Sequence, residues 1–398
     1  MKLALSLFAV SFLFLTTVLQ AQSCMETHFS VPTQAKIDSL DDFTKAWIRD
    51  YRQNARFRGG ATEIFTIPVV VHIVWREGDD GNTDENISEA VIREQIEILN
   101  RDFRRCNATK DLIPSVFQGV AADVGFEFCL DTITRTITPV KGIGSSAAIF
   151  HAALGGEDAW DTNKYLNIWV AARLDNVKGE GIFPVTAKSP EEDGVIMNIL
   201  YFGKNKMPNN DGRTLTHEVG HYFNLLHPWG KTPDCSDDDE VDDTPLQKEA
   251  HRGCPSYPQL NCDNEPEMTM NFMDYTDDAC VALFTQGQKE RMLATLHGPR
   301  KGLLENSTAC LHDTALNLSS YIKVISNPIE NGVLRLSINK RCDVKNIRLL
   351  NLLGQTMLQY GYADNLETLF VGDLSKGTYI VAVELADDSL IYKKILIL

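Results

Sequence analysis

The spacing of apolar and polar positions changes several times along the chain. Leu3 to Leu19 is almost wholly apolar, with Lys2 before it and the small Ala21 after it. This is the layout of a secretory signal over residues 1–22; the run is short for an uncleaved membrane anchor, the competing reading. Residues 23–58 are polar and helix-prone, with Leu40, Phe43, Trp47 and Ile48 among them. They end in Arg49, Arg52, Arg56 and Arg58 before Gly59-Gly60. A basic run of this kind suits a processing boundary better than a domain core. The segment is therefore expected to be a propeptide, with a flexible N-terminal arm as the alternative.

From Ile64 the pattern becomes that of strands alternating with helices. Ile67–Trp75 reads as a buried strand, and His72 within it as a core or rim histidine. Ser88 is placed to cap a helix running to about Arg105, with Ala90, Ile92, Ile96 and Leu99 at helical spacing. Val124–Ile133, Lys164–Ala172 and Gly194–Phe202 read as further strands, and a helix begins near Thr214. These elements make one domain over residues 59–300. Residues 301–318 read as a linker. From Tyr321 short alternating strands are punctuated by Asn327-Pro328, Asn331-Gly332, Leu353-Gly354 and Asp387-Asp388, which predicts a small all-β sandwich over 319–398.

Composition adds two constraints. The net charge of −16 excludes nucleic acid and anionic membranes as natural partners. Nine cysteines in an exported chain predict disulfides with one thiol left over, and Cys24 is the natural odd one.

The chemistry is concentrated in His217-Glu218-Val219-Gly220-His221-Tyr222-Phe223-Asn224-Leu225-Leu226-His227. An α-helix turns 100° per residue, so His217 and His221 leave the same face about one turn apart. Two imidazoles so placed suit one Zn2+ ion, and Glu218 lies beside them as a base. His227 would face elsewhere on a straight helix. Asn224 tolerates the left-handed conformation that ends helices, so it turns the chain and brings His227 back as a third ligand. Beyond it, Asp234 to Pro245 is dense in carboxylates, which suit Ca2+. Asp239, Asp243 and Thr244 are the ligand candidates there, and a solvated acidic loop is the alternative.

The extended histidine motif resembles the zinc signature of the metzincin metalloproteases, with Asn224 where most members have Gly. Asn271-Phe272-Met273-Asp274-Tyr275, then Asp277-Asp278-Ala279-Cys280 and Phe284-Thr285-Gln286-Gly287-Gln288, narrow the resemblance to the pappalysin family over roughly residues 60–300. The resemblance implies an α+β metzincin-type catalytic domain with a twisted, mostly parallel sheet, a zinc helix and a Met-containing turn. It implies peptide-bond hydrolysis of protein or peptide substrates, Tyr275 assisting the oxyanion and Met273 as a structural floor. It also implies calcium in the acidic loop, and disulfides Cys235–Cys262 and Cys254–Cys280, with Cys106–Cys129 a further pairing. Asp278 would lie at the base of the pocket for the residue after the scissile bond and select Arg or Lys, although neighbouring Asp277 competes for that role. Gly194–Phe202 would be the edge strand that pairs with extended substrate, and Cys24 a group able to hold the zinc latent in the precursor. The C-terminal pattern, with its Asn-Pro start, Leu-Gly-Gln middle and Gly377-Thr378-Tyr379, resembles the sorting domain of the bacterial type IX secretion system. That machinery is the partner it implies. A non-catalytic binding or adhesion protein that keeps a zinc fold is the rival reading, and the intact Glu218 counts against it.

Overall fold

The computed structural model describes residues 34–53, 63–78, 84–204, 207–232, 234–306, 322–338, 344–361, 368–385 and 390–398. The signal segment, Cys24, Arg56, Arg58, Cys310, Cys342 and residues 307–321 lie outside these. The larger, N-terminal body is built on five strands: β1 (Phe65–Trp75), β2 (Phe126–Ile137), β3 (Leu166–Ala171), β4 (Gly179–Gly181) and β5 (Val195–Asn198), in the order β2-β1-β3-β5-β4. β1 is an inner strand, with β2 and β3 parallel on its two sides. That explains its unbroken apolar run, since both of its faces are covered. β5 continues the parallel order, and β4 closes the sheet antiparallel to it. His72 is a satisfied core residue, bonded to Thr134 Oγ1 and Asn167 Oδ1 at 2.9 Å each.

One expectation is corrected here. The segment 194–202 is not the sheet edge. Only Val195–Asn198 is strand, all four residues are buried, and β4 pairs along its outer side. The apolar run that made the segment look strand-like is the mark of an inner strand. The true edge, Gly179-Glu180-Gly181, has no apolar signature at all.

α2 (Glu89–Phe103) starts at Ser88, whose side chain accepts from the Val91 amide, and it buries Ile92, Ile96, Leu99 and Phe103 in the main core. A single turn, α3 (Ser115–Gln118), precedes β2. α4 (Thr214–Tyr222) is the histidine-bearing helix and is buried over its whole length. α5 (Gln286–His297) opens with a capping box in which the Thr285 side chain and the Gln288 amide, and Gln288 and the Thr285 amide, satisfy each other. This body continues past residue 300, because Leu303 belongs to the same core. α1 (Gln34–Gln53) docks on α5: Trp47 stacks on His297 with centroids 5.5 Å apart, and Arg52 pairs with Glu290 at 2.7 Å. No helix among the described residues is long and apolar enough to cross a membrane.

The C-terminal strands are β6 (Ile322–Val324), β7 (Val333–Ile338), β8 (Val344–Leu350), β9 (Thr356–Gly361), β10 (Thr368–Phe370), β11 (Gly377–Leu385) and β12 (Leu390–Ile397). They form two antiparallel sheets, β10-β7-β6 and β12-β11-β8-β9, around one core that includes Leu334, Ile347, Val381 and Ile395. This is the small all-β sandwich expected from the alternating pattern.

Candidate active site

α4 is short because its end is enforced. Asn224 takes φ 72°, in the left-handed region, and the Leu225 amide returns to the Gly220 carbonyl at 2.9 Å. The turn reverses the chain and points His227 at the helix. The Nε2 atoms of His217 and His227 both lie 3.0 Å from that of His221, and 3.3 Å from each other. His217 Nδ1 bonds to the Phe272 carbonyl and His221 Nδ1 to the Leu225 carbonyl, both at 2.8 Å. A carbonyl only accepts, so each Nδ1 carries the hydrogen and each Nε2 presents a bare lone pair. Burial holds all three imidazoles neutral, with His217 lowered to about 4. Two bare lone pairs thus converge with the His227 Nε2, an arrangement that a shared cation holds together. Tetrahedral zinc with Zn–N bonds near 2.05 Å sets its nitrogens roughly 3.3 Å apart, so the donor set fits Zn2+. Among the described residues this is the one group of three or more His, Cys, Asp and Glu side chains whose ligand atoms lie close enough to share an ion.

Glu218 is buried beside the triad, and its Oε2 accepts the Gly181 amide at 2.9 Å. β4 therefore lies directly on α4. A Cβ on Gly181 would overlap the Glu218 carbonyl oxygen, and one on Gly179 would press on the Glu218 side chain. Below the triad, a Cβ on Gly220 would collide with Met273 Sδ, so the Met-containing turn is packed against the helix floor. That turn is locked to α5 by Asn271 and Gln288, whose amides bond reciprocally at 3.0 and 3.1 Å. Tyr275 packs edge-on to His227, with centroids 4.9 Å apart. At the other end of α4, buried Asp102 of α2 accepts from Thr216 Oγ1 at 2.7 Å and pairs with Arg213 at 3.4 Å. Burial, only partly offset by Arg213 and the Thr216 bond, raises its pKa to about 6.

Asp278 lines a narrow recess together with His217, Glu218, Arg252 and Tyr275, and Asp277 does not. It is also a cap: its Oδ2 accepts the amides of Asp211 and Arg213, each at 2.8 Å, at the start of the zinc helix. Burial pushes its carboxyl up, against the pull of those two amides. In the acidic loop, Asp239 Oδ1 accepts from Thr244 Oγ1 at 3.1 Å, and Asp243 Oδ2 accepts the Gly287 amide at 3.0 Å. Asp239 Oδ2 and Asp243 Oδ1 are buried without a hydrogen-bond partner among the described residues. Burial pushes Asp239 well above the usual carboxylate range. The disulfides Cys235–Cys262 and Cys254–Cys280 are formed as expected, and Cys106 and Cys129 are both disulfide-bonded.

Three site residues were not found by sequence reasoning. Gly181 carries no signal beyond a Gly-x-Gly. Trp229 stacks on His227 at 4.4 Å between centroids, and its place two residues after the third histidine was the available clue. Arg252 sits 5.4 Å above the Tyr275 ring, brought there by a fold contact that no local spacing encodes.

Known proteins agree with this geometry. Residues 154–297 match the peptidase family described as pregnancy-associated plasma protein-A, the pappalysins, and residues 323–398 match the secretion system C-terminal sorting domain. An extracellular metalloprotease of Arthroderma benhamiae is 31% identical over 242 residues, which cover 57% of this chain and 70% of the relative. One from Arthroderma gypseum is 29% identical over 262 residues, covering 62% and 78%. Among solved structures, mature mirolysin of Tannerella forsythia in complex with a cleaved peptide is 39% identical, with a TM-score of 0.57 over 62% of this chain and 97% of its own. A promirolysin variant is 36% identical, with a TM-score of 0.59 over 71% and 97%. Sequence, fold and donor geometry converge, and the chain belongs to the pappalysin family of metalloproteases.

Proposed function

We propose that the chain is an exported zinc metalloendopeptidase, made as a latent precursor, that cuts peptide bonds on the amino side of Arg and less often Lys. The observation that carries this is the set of three converging imidazole nitrogens with a buried carboxylate at their side. Zn2+ held by His217, His221 and His227 supplies Lewis acidity toward a water and a scissile carbonyl. Glu218 takes the proton of the attacking water and delivers it to the leaving nitrogen. The Gly181 amide fixes which way that carboxylate points. Tyr275 offers its phenol to the carbonyl oxygen as negative charge builds there. Met273 and Asn224 are structural, one as the floor and one as the turn.

Asp278 gives the recess its preference. A buried carboxylate in a narrow pocket favours a guanidinium, and an apolar side chain leaves the charge unpaired, at a cost of a few kcal/mol. Ca2+ bound by Asp239, Asp243 and Thr244 is supported by the two buried carboxylate oxygens that lack partners. The likeness covers 71% of this chain with the precursor promirolysin and 62% with the mature form, which supports residues 23–58 as a removable propeptide. Cys24 is the candidate thiolate for latency. The sorting-domain match supports signal-directed export followed by passage through the type IX machinery.

The test is a peptide-library digest with zinc analysis. Glu218→Ala should keep stoichiometric zinc and lose nearly all turnover, and a chelator should abolish wild-type activity. Asp278→Asn keeps an acceptor for the two capping amides, so it should fold and lose the Arg preference. Undiminished cleavage by the Ala variant would sink the mechanism. An unchanged Arg preference in the Asn variant would sink the assignment of the recess.

A further inference from the structure

The turn at Asn224 carries more than its own geometry. Its peptide leads into Leu225, whose carbonyl orients His221, and then to His227. The Asn224 side-chain amide does not donate within the turn: its Nδ2 is buried without a partner among the described residues. What holds it comes from α5. Arg291 Nε donates to the Asn224 carbonyl at 2.6 Å from a buried position. The rest of that guanidinium faces two acids: Glu240 of the acidic loop at 3.0 Å and Asp41 of α1 at 3.7 Å. A helix end exposes unpaired carbonyls, and a cation placed there is favoured by the helix dipole as well as by the hydrogen bond.

We propose that Arg291 is a positioning residue for the metal site, fixing the Asn224 peptide and through it the His227 and His221 donors. The proposal rests on the reading of the three histidines as zinc ligands. It follows from how few other groups restrain this peptide. The Leu225 amide is tied to Gly220 on one side, and the Asn224 carbonyl is tied to Arg291 on the other. Releasing the second tie lets the peptide rotate, which swings the Leu225 carbonyl off His221 Nδ1 and displaces His227. Arg291 has no route to substrate through the recess, so its effect is on donor geometry and not on the chemical step. Asp41 and Glu240 hold the guanidinium in line. Loss of α1 removes one of them and leaves the other.

The experiment uses the full chain with Arg291→Met and Arg291→Lys. Zinc affinity is measured by chelator competition, and donor geometry by the visible absorption of the Co2+-substituted protein. Arg291→Met should bind zinc more weakly by roughly tenfold or more, with altered Co2+ bands. Arg291→Lys keeps the charge but cannot reproduce the planar fork, so it should fold and show a smaller loss with shifted bands. Wild-type affinity and wild-type bands in Arg291→Lys overturn the proposal, whether or not the Met variant folds. If the wild-type chain binds no zinc, it is the reading of the histidines that fails. Normal zinc binding in the wild type with unchanged variants fails only the role of Arg291.

Discussion

His251 is held between two acids, with Nδ1 2.9 Å from Asp274 and Nε2 2.9 Å from Glu267. Asp274 also accepts the amides of His251 and Tyr275, so the imidazole braces the turn that carries Tyr275. Burial lowers its pKa, but Asp274, Glu267 and Glu249 outweigh burial and leave it above 6.5. A histidine whose folded pKa is raised stabilises most below its unfolded pKa and loses that contribution as pH rises through the folded value. Wild type should therefore exceed His251→Gln in melting temperature most clearly below pH 6.5, with the gap closing as pH rises above it. A gap that widens with rising pH in thermal melts would contradict the sign. At this scale the metal ligands were legible because they sit within eleven contiguous residues whose spacing fixes their direction. His251, Arg252 and Trp229 were not, because their roles depend on rings and carboxylates brought in from other loops.

Among the elements, β4 and α4 make the closest approach near the site. Two glycines in a three-residue strand let its backbone touch the zinc helix, and the Gly181 amide reaches Glu218 as a result. Gly181→Ala should push the strand outward and break that bond. Zinc content should be kept, and kcat should fall by roughly tenfold to a hundredfold, since small displacements of a catalytic group are costly. Full activity with normal zinc content would show that the contact is dispensable. The inner strands were legible, since parallel strands buried on both faces read as continuous apolar runs. The edge was not. A strand of Gly-Glu-Gly carries none of the signals that mark strands, and its role comes from the helix it lies against.

For the molecule as a whole, the buried clusters follow the two sequence patterns: those of the catalytic body share no residue with the one that fills the C-terminal sandwich. Deleting residues 319–398 should leave a purified protein with normal peptidase activity but keep it from crossing the outer membrane. Fractionation of cells and medium checks this, and normal secretion of the truncated form would make the sandwich an ordinary accessory domain. The two-part division was legible because the hydrophobic period changes from mixed to strictly alternating. The docking of α1 on α5 was not, because its few apolar residues and closing basic run read as a processing segment and gave no sign of a packing partner.

Two of the disulfides interleave: Cys235 joins Cys262, and Cys254, inside that loop, joins Cys280 beyond it. Every backbone bond between Cys235 and Cys280 is thus bridged by at least one covalent link. This stretch holds the acidic loop, His251 and the Met-containing turn, which have little regular secondary structure to protect them. A protease works at high concentrations of its own kind, and such loops are where it would be nicked first. One cut there leaves two pieces tethered by disulfide, free to re-form the site, so a nicked molecule stays covalently whole until it is reduced. The crossed bridges act as insurance against self-digestion in the part of the enzyme that most needs to keep its shape.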